Sequence, residues 1–228
     1  MNGKKTYPQN IIDALQLLDA HCKAFYDIHP IAHKYSHPIP NDTRAWSQIL
    51  ASVLSGIKGL AQKKGADLSD GSDVKGANCW EAIDTPRFNG VLPSGRKSET
   101  SKKELNVTAL DDIPRIYFVL WDDEPVTNNK RCRVWCVRTA KDKVFRSVSA
   151  KWYELRVSGE IKSDNFQLHP PRHQNSNVIR NTCGNIEMPL LFSATKKNSH
   201  FSCDHYNPDV IENGLCQLVQ AENKRPKK

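Results

Sequence analysis

The chain has 228 residues, and its balance of 38% hydrophobic and 25% charged residues predicts a folded protein with a packed core. No apolar run approaches the roughly 20 residues of a membrane-spanning helix. The N-terminal residues lead into no long apolar stretch of the kind found in secretory signals. We therefore expect a cytoplasmic protein without a membrane partner. The formal net charge of +8 favours a polyanionic partner, of which nucleic acid is the usual example.

Apolar residues at spacings of three and four predict three helices. The first covers about residues 9–27, and the third covers about residues 144–155. The second begins at an N-cap formed by Asp42 or Thr43, keeps an apolar stripe as far as Leu60, and stops at Gly65. Between the first two helices, prolines predict a loop over residues 29–40 whose histidines are solvated rather than metal-bound.

Two apolar segments, residues 115–121 and 132–137, predict a hairpin in a mixed sheet, and the first of them is expected to be buried on both faces. The acidic residues 122–124 between them are expected in a solvated turn, with metal binding as the alternative. Further along, residues 189–194 predict a buried strand and residues 200–205 an edge strand. The polar, basic stretch 94–108 predicts a mobile loop that either wraps DNA or is an exposed connector.

The seven cysteines, an odd number without a secretory signal, are typical of free thiols. Cys132 and Cys136 lie on one face of a predicted strand. No second close pair completes a zinc site, so a structural role is favoured.

Two aspartates and a lysine follow the second helix. If residues 72–75 form a strand, Asp73 and Lys75 share one face of it, and Asp67 can fold back beside them. Mg²⁺ takes oxygen ligands and usually binds through one or two carboxylates plus substrate phosphates. The trio therefore predicts a Mg²⁺ site in which Lys75 steers a water molecule or stabilises charge on phosphate. A surface ion-pair cluster is the alternative.

A second acid-x-lysine pair is weaker. Glu160 and Lys162, with Asp142 upstream, would supply the same groups. However, Glu160 directly follows a helix-ending Ser-Gly pair and lacks a buried strand before it, so this set ranks below the first.

Residues 162–181 are rich in side chains that read base edges, since Asn and Gln suit adenine and Arg and Lys suit guanine. A polar surface loop is the alternative. Gly76 and Ala77 would allow either close approach of a ligand or a tight turn. The DNA-binding candidates are Asn78, Arg87, Lys162, Asn165, Gln167, His169, Arg172, Asn177, Arg180 and Asn181.

A helix, then Gly-x-Asp, then Asp-x-Lys on a strand resembles the PD-(D/E)xK nucleases, with Ala66 at the position of the small residue before the first acid. The runs GADLSDGSDVKGANCWEAIDTPRFNG, RCRVWCVR and NFQLHPPR, with NVIRNTCGN, resemble type II restriction endonucleases, most of all the MamI group, over about residues 45–216.

The resemblance implies an α/β (α+β) fold with a restriction-endonuclease-like mixed sheet flanked by helices. We expect an N-terminal helix and linker (1–42), a nuclease domain (43–218) with a DNA-recognition region at about 160–185, and a basic tail (219–228).

The implied activity is sequence-specific hydrolysis of double-stranded DNA with Mg²⁺. Asp67 and Asp73, with the carbonyl of Val74, would hold the metal, and Lys75 would act on the attacking water. Many relatives carry an acid on the preceding helix, but here Ser47 and Gln48 are the nearest polar residues. A third carboxylate would have to come from Asp70, Glu81 or Asp84.

A palindromic target would imply a homodimer, and a nuclease that cuts at specific sequences would need a cognate DNA methyltransferase in the host. Two other functions stay open at this point. One is a structure-specific repair or junction nuclease with the same metal site, and the other is a non-catalytic DNA-binding protein in which the trio is only an ion-pair network.

Overall fold

The computed structural model describes residues 7–34, 36, 42–60, 65–80, 82, 84–93 and 106–219. Glu81, nearly all of the expected basic tail and most of the expected loop at 94–108 lie outside these residues. Within the described part of the chain, no helix is long and apolar enough to cross a membrane.

The helices and strands follow one another as α1 (Gln9–Asp27), α2 (His29–Lys34), α3 (Arg44–Ser55), β1 (Asp73–Asn78), β2 (Ile116–Asp123), β3 (Lys130–Val137), α4 (Lys143–Val157), β4 (Val178–Ile179), β5 (Asn185–Glu187), β6 (Leu190–Lys197), β7 (His200–Tyr206), α5 (Val210–Asn213) and β8 (Gln217–Val219). A short 3-10 turn, Val107–Leu110, precedes β2.

Five strands form the main sheet in the order β1-β2-β3-β6-β7. The first two strands are parallel, and the other pairs are antiparallel, so the sheet is mixed as predicted. The predicted hairpin is β2 and β3, and β7 is an edge strand as expected. β1 forms the opposite edge, which leaves one side of this strand open. A smaller sheet has the order β4-β5-β8.

The main sheet separates two apolar clusters. On one face, α1 and α3 pack over side chains such as Val119 and Val134, and on the other face α4 packs over Phe118 and Trp135. β2 is buried along its whole length, as predicted for a strand covered on both faces. Helices therefore flank a mixed sheet, which confirms the expected fold class. All seven cysteines are free thiols, also as expected.

Two helix predictions were wrong in detail. α3 ends at Ser55 rather than near Leu60, because Gly56 adopts a left-handed conformation (φ 73°) and closes the helix. The chain at 29–34, expected as a loop, forms the short helix α2 with Pro30 in its first turn, where the missing N–H is tolerated.

Gly76 lies in a strand and not in a turn, and packing accounts for it. It lies within β1, where α3 crosses the strand. A Cβ atom at this position would lie 2.7 Å from the Oγ of Ser47, so glycine permits the close approach of α3 to β1.

Of the acidic residues expected in a solvated turn, only Glu124 lies in the turn, where it accepts from Val126 and Thr127. Asp122 and Asp123 belong to β2 and are buried, and Asp122 forms salt bridges with Arg131 and Arg133 of β3. The expectation failed because the neutralising cations come from the neighbouring strand.

Candidate active site

A tight turn brings the first aspartate back to the start of β1. The backbone N–H groups of Asp67 and Leu68 both donate to the carbonyl of Ser72, at 3.1 and 3.0 Å. Gly71 supports the turn with a left-handed φ of 93°, which glycine adopts without strain. The six-residue spacing between Asp67 and Asp73 is therefore explained by this turn, which brings the chain back beside Asp67.

The structure brings Asp67, Asp73 and Lys75 together at the open edge of β1. The Nζ atom of Lys75 lies 2.6 Å from Oδ2 of Asp73, and both side chains are about four-fifths buried, with exposed fractions of 20% and 17%. Oδ2 of Asp67 accepts a hydrogen bond from the backbone N–H of Val74 at 2.8 Å. The three charged groups thus share one small volume beside the strand.

The backbone of β1 presents Val74 to this edge. The N–H of Asp73 donates to Arg115 on the β2 side, and alternate residues of an edge strand direct their backbone groups to opposite sides. The N–H and carbonyl of Val74 consequently face away from β2. The carbonyl oxygen is directed to the same side as the Asp67 carboxylate.

The surroundings of Asp73 change its readiness to ionise. Burial raises the pKa of Asp73 to about 6, Lys75 opposes this shift, and the neighbouring Asp67 adds to it. Because burial is the largest cause, the charged form of Asp73 is poorly solvated. A divalent cation at this position would stabilise that form.

Gln48 of α3 occupies the place where the resemblance leads one to expect an acid. Its Nε2 donates to Oδ1 of Asp67 at 2.5 Å. Because a carboxylate can only accept, the amide nitrogen faces Asp67 and the amide oxygen of Gln48 is left for another partner. Ser47, the other polar candidate on this helix, instead accepts a hydrogen bond from the indole N–H of Trp121.

The trio lines an open cavity of about 520 Å³. Asn78, Arg87 and Asp84 also line it, and Arg87 is paired with Asp84 at 3.1 Å. Among the described residues of the wall, none is a histidine or a cysteine. The oxygen-only donor set of two carboxylates and a backbone carbonyl fits Mg²⁺ better than Zn²⁺.

No third carboxylate joins the trio within the described residues, where no cluster of three or more His, Cys, Asp or Glu side chains is arranged for a metal ion. Asp70 is turned into the preceding turn, where it accepts from Ser72 and pairs with Arg115. Asp84 is exposed and paired with Arg87. Glu81 lies outside the described residues.

A model of the MamI restriction endonuclease family matches residues 30–201, about three-quarters of the chain. The chain belongs to the MamI restriction endonuclease family. Type II restriction enzyme MamI of Microbacterium ammoniaphilum is 32% identical to it over 162 residues, which cover 67% of this chain and 52% of the relative. The chain thus aligns with about half the length of that relative. No solved structure matches it. The resemblance drawn from the sequence motifs is confirmed.

The alternative acid-lysine set does not assemble in this family member. Asp142 is buried at the start of α4, where its carboxylate accepts from the N–H groups of Phe145 and Cys216. Glu160 and Lys162 follow the other end of this helix, which is about 22 Å long at 1.5 Å per residue. The helix therefore holds the two acids apart.

Four of the predicted DNA-binding asparagines use their side chains inside the protein. Asn165 bonds to Asn89 and to the N–H of Gly90, Asn177 accepts from the indole of Trp135, and Asn181 donates to the carbonyl of Gln167. The fourth, Asn78, accepts from the N–H of Trp80. These amides shape the loops around the cavity.

Of the basic candidates, Arg87 lines the cavity. Residue 88 pairs with residue 168, and His169 pairs with Arg180, so the predicted reading region runs beside the wall that carries Arg87. Burial, together with the charges of Arg180 and Arg87, lowers the pKa of His169. Lys162, Arg172 and Arg180 are exposed, and Gln167 is half-buried.

Proposed function

We propose that this protein is a sequence-specific endonuclease that hydrolyses double-stranded DNA with Mg²⁺, as a type II restriction enzyme. The observation that carries the proposal is the convergence of Asp67, Asp73 and Lys75 in an open cavity. Membership of the MamI restriction endonuclease family supports it, and the relative from Microbacterium ammoniaphilum is named as a type II restriction enzyme.

In this proposal Asp67, Asp73 and the carbonyl of Val74 hold the metal ion. Bound Mg²⁺ would act as a Lewis acid toward phosphate oxygen and lower the pKa of a coordinated water. The N–H of Val74 and the amide of Gln48 fix both oxygens of Asp67 in orientation. The chain's own contribution is therefore a rigid pair of carboxylates at the edge of a sheet.

Lys75 is the group proposed to act on the reaction itself. In the protein without metal, it neutralises Asp73 at 2.6 Å. With Mg²⁺ at the site, the Lys75 ammonium would orient the attacking water and stabilise negative charge on the phosphate, and its neutral amine form would help to deprotonate that water.

The cationic side chains around the cavity are proposed to bind the DNA backbone. Arg87 lies in the wall, and Arg180 and Lys162 are exposed on the adjoining segment. Neutralising several phosphates releases counterions, so we expect affinity to fall steeply with salt concentration.

The proposal includes a homodimer and a cognate methyltransferase. A palindromic site requires two identical active sites on antiparallel strands, which a two-fold dimer provides. Sedimentation of the protein with a duplex that contains its cleavage site tests the dimer. A single protomer per duplex together with cleavage of both strands would contradict it.

The deciding experiment incubates the purified protein with phage DNA in Mg²⁺ and in EDTA. We expect discrete fragments in Mg²⁺ alone, and mapping their ends gives the recognition sequence. Asp73→Ala should abolish cleavage, whereas the control Glu154→Ala should leave cleavage within about threefold of wild type, because Glu154 is exposed on α4 and does not line the cavity. Nicking that follows DNA structure would indicate a repair nuclease, and intact but shifted DNA would indicate a binding protein.

A further inference from the structure

The loop at residues 171–176, here called the clamped loop, is fastened to the sheet by buried charges. Asp122 of β2 is completely buried and accepts hydrogen bonds from two guanidinium groups. Arg131 donates to it from Nε at 2.9 Å and from Nη2 at 2.8 Å, and Arg133 donates from Nη2 at 2.8 Å. The same carboxylate accepts the backbone N–H of His173 at 3.2 Å.

The two arginines also bind the carbonyl groups of the clamped loop. Arg133 donates to the carbonyls of residues 171 and 176 at 2.8 and 2.7 Å, which are the two ends of the loop. Arg131 donates to the carbonyl of Gln174 at 3.1 Å and to the side chain of Asn175 at 2.6 Å. Both arginine side chains are at most 5% exposed. The loop therefore has one conformation before any ligand binds.

Such a clamp is more than packing requires. Burying one carboxylate and two guanidinium groups carries a desolvation penalty that well-packed apolar residues would avoid. The clamp also keeps His173 at a left-handed φ of 53°, which a non-glycine residue seldom adopts. The arrangement stabilises a particular loop shape at the expense of a simpler core.

The clamped loop directs polar side chains to the solvent. Arg172, His173 and Gln174 are exposed, and the Arg172 guanidinium makes no hydrogen bond or ion pair with any residue that the structure describes. Arg binds guanine and Gln binds adenine through paired contacts in the major groove. The backbone of Arg172 and Gln174 is held by the clamp, while the ends of their side chains can contact a ligand.

The clamped loop lies beside the candidate active site. The chain just before it is bonded to the cavity wall, because Phe88 and Leu168 exchange backbone hydrogen bonds at 2.9 and 3.2 Å and the neighbours of Phe88, Arg87 and Asn89, line the cavity. Burial raises the pKa of Cys79 to about 12 and Arg172 opposes this shift, so Arg172 lies near the residue that directly follows Asn78 at the end of β1. A duplex whose phosphate occupied the cavity would therefore have neighbouring bases near the clamped loop.

We infer that the clamped loop is a preformed base-reading element, in which Arg172 and Gln174 contact base edges while Arg131 and Arg133 are positioning residues. The inference rests on the proposed function, because it assumes that the ligand is double-stranded DNA. It assigns readout to a rigid part of the broader 162–181 region. The asparagines around it serve the protein's own structure.

The test is the double variant Arg172→Ala/Gln174→Ala, compared with wild type and with the control Lys162→Ala. Oligonucleotide duplexes carry the mapped site or the same site with one base pair changed. We expect wild type to prefer the intact site, and the double variant to lose about 10–100-fold of that preference in cleavage rate. Lys162→Ala should weaken binding to both duplexes equally.

The outcomes separate the inference from the proposed function. A wild-type protein that cuts at defined sites, together with a double variant whose preference stays within twofold, would overturn the reading role while the nuclease stands. A wild-type protein that neither binds nor cuts DNA would overturn both. The double variant alters only exposed side chains, so its far-ultraviolet circular dichroism should match wild type.

The positioning role is tested with Arg133→Lys, which keeps the charge but cannot span Asp122 and both loop ends. We expect the preference for the intact site to fall by about tenfold while affinity for the altered duplex is retained. Equal losses on both duplexes would show a general structural defect and would overturn the positioning role.

Discussion

Two clusters of acids and bases at the main sheet have similar compositions and opposite surroundings. Asp73 and Lys75 face an open cavity at the edge strand β1, together with a second acid. Asp122 is completely buried at the end of β2, where two arginines and a backbone N–H bind it. In the first cluster burial disfavours the charged form of Asp73, and in the second four hydrogen bonds hold the carboxylate of Asp122.

The difference separates a site for chemistry from a structural clamp. Three donors bind Oδ2 of Asp122 and one binds Oδ1, whereas burial raises the pKa of Asp73 to about 6 and Lys75 offsets only part of that shift. Residues at functional sites often reduce stability in this way. We therefore expect neutralisation of the two acids to have opposite effects on stability.

The largest expected effect is on activity at the edge of the sheet. Asp73→Asn removes a proposed metal ligand, and we expect the single-turnover rate of cleavage to fall about 10³-fold, equivalent to several kcal/mol. Thermal unfolding in EDTA should be unchanged or shifted upward. Cleavage within tenfold of wild type would exclude Asp73 from the reaction.

The next effect is on stability at the clamp. Asp122→Ala leaves two buried guanidinium groups without their counter-charge, and we expect the free energy of unfolding to fall by about 3–5 kcal/mol. Urea denaturation measures it, with the exposed Asp84→Ala as control. A loss below about 1 kcal/mol would contradict the view that the clamp is a filled network.

The third effect depends on pH. Because the folded pKa of Asp73 is about 6 and its ordinary value is 3.8, the folded state holds this proton through a range in which the unfolded state has lost it. The Asp73 contribution to stability therefore falls as pH rises from about 4 to 6.

In EDTA, the stability of Asp73→Asn relative to wild type should increase across that range and level off above it, at about 3 kcal/mol. Urea titrations at several pH values give the difference. A difference that does not change with pH would show that Asp73 titrates normally in the folded protein.

The regular elements were predictable where an apolar period was uninterrupted. α1, α4 and the β2–β3 hairpin follow their patterns closely. The end of α3 was not predictable from the stripe, because the apolar period continues to Leu60 beyond the glycine that ends the helix. The start of the small sheet near residue 178 gave no signal, since its strands are only two or three residues long.

The juxtaposition of Asp73 and Lys75 follows from the two-residue period of a strand, so it was accessible from sequence. The clamp was not, because Asp122 meets its arginines only through the register of two strands. Sequence patterns indicate which residues belong to the same helix or strand, but they contain little information about which helices and strands contact each other. For the same reason the contact between Gln48 and Asp67 depends on how α3 crosses β1.

That contact gives the smallest effect. Gln48→Ala removes the donor that fixes one oxygen of Asp67, and we expect the Mg²⁺ concentration for half-maximal cleavage to rise about tenfold, as for other residues that support metal ligands. The neighbouring Ile49→Ala is the control, because Ile49 is 49% exposed on the same helix. Gln48→Glu should lower the required Mg²⁺ concentration, since it adds a carboxylate where the site has too few. If both Gln48 variants require the same Mg²⁺ concentration as wild type, the N–H of Val74 alone is enough to orient Asp67. Gln48 then has no part in the difference between the edge cluster and the Asp122 cluster.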